Sequence, residues 1–265
     1  MKKLCFSRLM VLLSVLNLTA CVTQKHYLES DKPVVENISS PEAKARARIK
    51  LGLTYLQKGD SVQAKFNLDK ALEFAPDLAE AHYSLAYYYQ TVQNFDKAEK
   101  AYIRVIELSP NNGDAYNNYG AFLCERGRLE EATENFLEAV KIDSYIRVWQ
   151  TYENLGLCLA DSGQESKIDQ AISYFNKALG YNARAFTSLN SLIEIYQNRQ
   201  EWHQVKAYFD KLRLVSRPSA ALYWLGYNTE RNIGAFEAAK QYGRLLLIEF
   251  PSSSQTQLYK KSLLQ

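Results

Sequence analysis

The sequence predicts an all-α superhelical solenoid, and three observations support this. Small residues recur at a constant spacing of 34 positions, as do the prolines that close the repeated unit. Apolar residues within each unit follow the period of two amphipathic helices. Glycine and proline are sparse, with 11 and 6 residues, which suits helices better than a sandwich or barrel. The recurring residues are Gly52, Ala86 and Gly120, then Ala64, Ala98 and Ala132, and Pro76 and Pro110.

A spacing of 34 residues is the period of the tetratricopeptide repeat, a helical hairpin that stacks on its neighbours. Small residues are expected where the two helices of a hairpin cross, because only Gly or Ala lets the backbones approach closely. Such a stack has no single globular core, and its first helices line a concave surface that suits extended peptides or helices. The predicted repeat domain, 41–265, holds about six units at 45–78, 79–112, 113–146, 149–185, 186–219 and 219–251, with a capping helix over 252–264.

The later units depart from the pattern, and each departure makes a prediction. Ser144 replaces the closing proline of unit three. Unit four is longer by about three residues around 164–167, which predicts an insertion in the turn between its helices. Unit five keeps the apolar positions but loses the small ones. The second helix of unit six is predicted to pack through Ala238, Tyr242 and Leu245, and the capping helix through Leu258, Tyr259 and Leu263.

The amino terminus is arranged like that of a secreted bacterial lipoprotein. A positively charged start precedes an apolar run over 9–18, which is too short to span a bilayer but long enough for a signal peptide. The next residues, Leu-Thr-Ala-Cys at 18–21, resemble the lipobox of bacterial lipoproteins. Residues 1–20 are therefore predicted to be removed, with Cys21 as the lipidated first residue. The alternatives are an ordinary signal peptide with a coincidental cysteine, or a short membrane anchor.

Lipidation predicts where the mature chain resides. One acyl chain binds a membrane only marginally, at about 0.8 kcal/mol per methylene, whereas two or more hold a protein almost permanently. In lipoproteins of bacteria with two membranes, Asp after the cysteine usually goes with retention in the inner membrane. Val22 stands there instead, which indicates the periplasmic face of the outer membrane. Residues 21–40, without an apolar period, are predicted to form a flexible tether.

Charge and side-chain spacing argue against catalysis and nucleic-acid binding. The leader holds 3 of the 32 basic residues and none of the 29 acidic ones, so the mature chain is balanced at 29 of each sign. His26, His82 and His203 lack the spacing of a helical zinc site, and the glycines stand singly, unlike a phosphate-binding loop. Glu125 and Glu153 are interpreted as helix charges rather than paired catalytic carboxylates. The sequence predicts no enzyme, metal, cofactor, nucleic-acid partner or small-molecule substrate.

Two of the four cysteines remain available for a disulfide. Cys5 is removed with the leader, and Cys21 is consumed by lipid. Cys124 and Cys158 lie on equivalent stretches of neighbouring first helices, and an oxidising periplasm favours their pairing. The alternative is a pair of buried free thiols, because free cysteine packs well as a small apolar residue.

The concave positions of the first helices are the candidates for partner binding. Tyr offers apolar area at low entropy cost, and Asn offers both a donor and an acceptor. The alternative is that Tyr at helical spacing packs between units, and this is the preferred interpretation for Tyr89, Tyr119 and Tyr196. The residues assigned to partner binding are Tyr83, Tyr87, Asn117, Asn118, Ala121 and Glu153, and the wider concave set includes Tyr223 and Tyr227.

Residues 117–127, Asn-Asn-Tyr-Gly-Ala-Phe-Leu-Cys-Glu-Arg-Gly, add a more specific signal to the lipobox and the repeats. Together they resemble the PilF/PilW lipoproteins of type IV pilus biogenesis over nearly the whole mature chain. The resemblance implies a pilotin, a non-enzymatic protein that binds the outer-membrane secretin subunit and promotes its localisation and multimer assembly. The alternative is an adaptor lipoprotein of another envelope complex, for outer-membrane protein assembly or cell-wall enzyme regulation. An enzyme is the third hypothesis.

Overall fold

The computed structural model describes residues 26–27, 30–33 and 40–264, so the predicted signal peptide and Cys21 lie outside the described residues. The chain divides into two units, Met1–Ser40 and Pro41–Gln265. In the first, strand β1 (His26–Tyr27) pairs antiparallel with strand β2 (Ser30–Pro33). The tether prediction did not include these strands. Because an isolated two-stranded hairpin is at best marginally stable in water, the flexibility of 21–40 stays a prediction.

The part of the chain over Pro41–Gln265 confirms the all-α repeat fold. Its described residues form six antiparallel helical hairpins followed by one further helix. Each hairpin corresponds to one predicted unit. The helices are α1 (Pro41–Gln57) and α2 (Ser61–Phe74), α3 (Ala79–Thr91) and α4 (Phe95–Leu108), α5 (Gly113–Glu125) and α6 (Leu129–Lys141), α7 (Val148–Asp161) and α8 (Glu165–Tyr181), α9 (Phe186–Asn198) and α10 (Trp202–Val215), α11 (Ala220–Asn232) and α12 (Phe236–Glu249), and α13 (Ser254–Ser262).

The turn inside each hairpin has the same length in all six units. It is three residues long, and its second residue takes a left-handed backbone. That residue is glycine in four units, with φ of 79° at Gly59, because glycine adopts this conformation without a steric penalty. Gln93 and Gln200 adopt it in the other two, with φ of 59° and 58°. This shared turn keeps the two helices of every unit in the same register.

Small residues lie at the helix crossings, as predicted. A Cβ atom added at Gly52 would lie 2.9 Å from Leu68 Cγ, and one at Gly156 would lie 2.7 Å from the Phe175 ring. One cluster of buried side chains extends through units two to five, and separate clusters lie in unit one, where it meets unit two, and in unit six with the capping helix. The large residues that pack at the crossings of units one to five are buried: Leu68, Tyr102, Phe136, Phe175 and Phe209.

The extra residues of unit four lengthen a helix, so the prediction of an insertion in the turn is wrong. The turn between α7 and α8 keeps its three residues, 162–164, whereas α8 has 17 residues against 14 in α2. Ala171 consequently stands seventh in α8, while Ala64 stands fourth in α2. Three residues add almost one turn of 3.6, so the buried face of α8 keeps its direction.

In unit six the buried positions fall one residue later than predicted. Ala239 and Leu246 are buried, in place of Ala238 and Leu245. Gly243 occupies the position that a large residue holds in units one to five, and a Cβ there would overlap the Tyr259 ring of α13. Tyr259 therefore fills that space from the capping helix. The predicted packing of Leu258 and Leu263 is wrong, because these side chains are exposed by 48% and 61%.

Candidate partner-binding surface

Tyr83 and Tyr87 of α3 present accessible aromatic rings. They are 38% and 48% exposed, although their helix lies within the stack. The Tyr83 ring meets the Tyr102 ring edge-on, with centroids 6.2 Å apart, so it is held from one side and open on the other. Burial, with Asp114 and Tyr87 nearby, raises the pKa of Tyr83. Its hydroxyl therefore remains a neutral donor and acceptor for a partner.

An open cleft of about 330 Å³ adjoins Tyr83, and we call it the unit-two cleft. Its apolar lining includes Val105, and its polar lining includes Asn118 and Arg147. The Asn118 Oδ1 accepts from its neighbour Asn117, at 3.3 Å, which leaves the Asn118 Nδ2 without an acceptor among the described residues. The structure thus brings Tyr83 and Asn118 to one cleft, whose size lies within the roughly 300–1,000 Å³ range of ligand pockets.

A hydrogen-bonded chain behind these tyrosines joins α3 to α4 and α5. The Tyr102 hydroxyl donates to Gln90 Oε1 at 2.8 Å, and Gln90 Nε2 donates to Glu125 Oε2 at 2.7 Å. Burial raises the pKa of Tyr102, so its hydroxyl keeps the proton that it donates. Glu125 is therefore engaged between units rather than poised as a catalytic carboxylate. Gln90 was missed at the sequence level, since its role depends on how units two and three stack.

Asn117 lies in a contact between units, which corrects the prediction of a free groove residue. Its Oδ1 accepts from Thr151 Oγ1 at 3.0 Å and from Asn154 Nδ2 at 3.1 Å, both on α7. The Thr151 hydroxyl also bonds the Tyr145 hydroxyl at 2.9 Å. Asn117 is half-buried in this network. Its side chain accordingly stabilises the stacking of unit four on unit three.

Glu153 also serves a contact between units. Its Oε2 accepts from the Ser188 amide at 2.9 Å and from the Ser188 hydroxyl at 2.7 Å, close to the start of α9. A carboxylate in this place is favoured by the unsatisfied amides and the positive dipole end of the helix. Ala121 is half-buried against the core. Tyr83, Tyr87 and Asn118 are the assigned residues that reach an open surface.

The capping helix covers one concave position. Tyr227 is buried, its hydroxyl bonds Ser262 Oγ at 2.8 Å, and its ring lies 5.0 Å from that of Tyr259. Its place in the concave set is therefore wrong. The packing interpretation is confirmed for Tyr119, which is buried and donates to Glu99 Oε1 at 2.8 Å. Burial, with Glu99 adding to it, raises the pKa of Tyr119 to about 12.

A disulfide joins Cys124 of α5 to Cys158 of α7, with a Cα–Cα distance of 5.8 Å. The two cysteines are separated by 34 positions, so they hold equivalent places in units three and four. The bond links the same two helices as the Asn117 network. Units three and four are thus joined covalently and by the Asn117 network, and Asn117 also donates to Asn118 Oδ1 in the unit-two cleft.

The described residues offer neither a metal cluster nor a membrane span. No group of three or more His, Cys, Asp or Glu side chains within the described ranges is placed to hold a metal ion. No helix described in the structure is long and apolar enough to cross a membrane. His82 is engaged structurally, with its Nε2 atom 2.7 Å from the Pro76 carbonyl oxygen.

Comparison with known proteins gives the family. Models of the tetratricopeptide repeat match residues 45–78, 79–112 and 101–134. The type IV pilus assembly protein PilF of Pseudomonas aeruginosa is 33% identical over 253 residues, which covers 95% of this chain and 96% of PilF. The chain belongs to the PilF/PilW family.

Two solved structures of this PilF/PilW family share the fold. A structure of Pseudomonas aeruginosa PilF has a TM-score of 0.61 and 31% identity, and it covers 84% of this chain and 99% of its own. The structure of PilW, described as a widely conserved type IV pilus biogenesis factor, has a TM-score of 0.58 and 25% identity. It covers 83% of this chain and 98% of its own.

Proposed function

We propose that this chain is an outer-membrane lipoprotein of type IV pilus biogenesis that binds the secretin subunit and promotes its localisation and multimer assembly. Its likeness to a type IV pilus assembly protein over 95% of the chain supports the process. The observation that carries the binding role is the pair of exposed tyrosines beside the unit-two cleft. A repeat stack with such a surface recognises protein segments and needs no catalytic group.

The proposed contact combines apolar and polar recognition. The rings of Tyr83 and Tyr87 provide apolar area on a rigid helix, and tyrosine loses little conformational entropy when it is buried. The Asn118 amide supplies a donor at the same cleft. Because Asn117 joins α5 to α7 and also holds Asn118 in this cleft, the partner meets a preorganised site, and preorganisation lowers the cost of binding.

The proposed anchor is the lipid on Cys21. Two or more acyl chains would hold the repeat domain at the periplasmic face of the outer membrane, where the secretin multimer assembles. The 21–40 segment then sets how far the repeat domain reaches from the membrane. Anchoring and binding together raise the local concentration of secretin subunits, which is the physical basis for promoting their assembly.

Cell fractionation of a complemented deletion strain tests the proposal. We expect Cys21→Ala to release the chain from the outer-membrane fraction and to reduce or mislocalise the secretin multimers, measured by immunoblot. Cys5→Ala is the matched control, because Cys5 lies in the segment that is removed, and it should leave both readouts unchanged. A Cys21→Ala chain that stays in the outer-membrane fraction without the secretin would contradict the anchor.

A pull-down with the wild-type chain from solubilised outer membranes tests the partner. Recovery of the secretin supports the proposal. Recovery of a different envelope complex in its place would favour the adaptor hypothesis and show that the proposed partner is wrong.

A further inference from the structure

A second cleft, of about 380 Å³, lies at the junction of units five and six, far along the chain from the unit-two cleft. We call it the α10–α11 cleft. Its walls are mainly apolar, and Phe186 at its edge is more than half exposed. The size suits one large side chain together with part of a peptide backbone. The apolar residues that line it are Phe186, Leu212, Val215, Ala221, Leu222 and Leu225.

The polar groups of the α10–α11 cleft are mainly hydrogen-bond donors. The Ser216 hydroxyl oxygen is buried and has no partner among the described residues. Ser219 caps α11 by accepting from the Leu222 amide at 3.2 Å, while the amide of Ala221, which also lines the cleft, has no acceptor within the described part of the chain. The amides at the start of a helix and its positive dipole end favour an anion.

Arg217 supplies the single formal charge among the residues that line this cleft. It is exposed and forms no ion pair with any residue that the structure describes. Asn190 donates its Nδ2 to the Phe186 carbonyl oxygen at 2.8 Å, which leaves its Oδ1 as an acceptor for a peptide amide. One cation, a free helix amide, a hydroxyl and one amide acceptor thus border the apolar walls.

The adjoining cleft differs from the α10–α11 cleft in its charges. A cavity of about 500 Å³ shares Ser216 and Leu222 with the α10–α11 cleft, and its lining includes charges of both signs. These charges are paired: Lys206 with Asp210 and Glu230, and Arg213 with Asp210. An anion therefore finds an unpaired cation only on the α10–α11 side.

We propose that the α10–α11 cleft binds the C-terminal carboxylate of a partner polypeptide whose last residue is apolar. The carboxylate and the side chain of a C-terminal residue branch from the same Cα, so one residue can meet the donors and the apolar walls together. In an extended segment, an internal Asp or Glu has its nearest apolar side chain on the same side two residues away, roughly 6.6 Å along the chain, whereas a C-terminal residue carries both groups itself. The proposal concerns a surface separate from the unit-two cleft and does not rest on the identity of the secretin as a partner.

Fluorescence anisotropy with labelled peptides tests this proposal on the full chain. The probes are Gly-Ser-Gly-Ser-Ala-Leu with a free carboxylate, the same peptide with a C-terminal amide, and a free-acid peptide ending in Ala-Ala. We expect the free-acid leucine peptide to bind about tenfold more tightly than the amide, because hydrogen bonds to a charged group are stronger than those to a neutral one. The peptide ending in Ala-Ala should bind more weakly than the leucine peptide.

Three variants locate the binding. Arg217→Ala should weaken binding of the free acid about tenfold and leave the amide unchanged, whereas Phe186→Ala should weaken both. Arg244→Ala is the matched control, because Arg244 is exposed on α12 and lines neither cleft. Melting temperatures equal to that of the wild type establish that the variants fold. Equal binding of acid and amide, no saturable binding, or an equal effect of Arg217→Ala and Arg244→Ala would each overturn the proposal.

Discussion

Removing the disulfide between Cys124 and Cys158 should lower the stability of the repeat domain measurably. The bond closes a loop whose ends are 34 positions apart. On the chain-entropy model, a loop of this length contributes about 4 kcal/mol to the free energy of unfolding. For a domain of 150–250 residues, each kcal/mol shifts the melting temperature by about 2–4 °C. The expected fall is therefore roughly 8–16 °C, with strain or residual structure in the unfolded chain reducing it.

Mass spectrometry and thermal unfolding together test this prediction. Non-reduced protein should show no alkylation of these cysteines after denaturation. The double variant Cys124→Ala/Cys158→Ala should melt at the lower temperature with or without reductant, whereas reductant should lower the melting temperature of the wild type alone. Two alkylated thiols would refute the bond. An intact bond with equal melting temperatures in the wild type and the variant would refute the entropic reasoning.

Two further predictions concern packing. Gly156→Ala should lower the free energy of unfolding by about 1–3 kcal/mol, because the added Cβ would press on the buried Phe175 ring. Gly180→Ala has open space around it and should be neutral or raise that free energy by up to about 1 kcal/mol. Urea denaturation measures both variants, and equal effects would contradict the crossing geometry. Asn117→Ala should lower the free energy of unfolding by about 1–2 kcal/mol, because two donors on α7 lose their acceptor. Asn118→Ala should change it by less than about 0.5 kcal/mol. Similar melting temperatures for the two variants would contradict the role of Asn117 between units three and four.

The repeat boundaries could be predicted because they depend on the sequence of each unit alone. The spacing of small residues located the hairpins of units one to three, even though Gln93 replaces the glycine of the turn in unit two, and the apolar positions located the hairpin of unit five. The spacing did not predict where the three added residues of unit four lie. Spacing reveals that residues are added, but whether they extend a turn or a helix depends on which arrangement keeps the buried face aligned.

The function of individual concave residues was harder to predict, because it depends on what the next unit supplies. Asn117 and Glu153 stand at concave positions, yet side chains from the following unit engage them. Tyr227 is covered by the capping helix, whose position no repeat spacing defines. Tyr83 and Tyr87 remain accessible, with 38% and 48% of their surface exposed.

A quantitative pull-down of the Tyr83→Ala/Tyr87→Ala variant tests whether the exposed tyrosines of α3 bind the secretin. The control is Tyr181→Ala, which removes an exposed tyrosine from α8, outside the unit-two cleft. We expect the double variant to recover at least about tenfold less secretin than the wild type, at an unchanged melting temperature, because central aromatic contacts often contribute about 2 kcal/mol or more. Unchanged recovery, or a loss of recovery that follows a loss of stability, would contradict it.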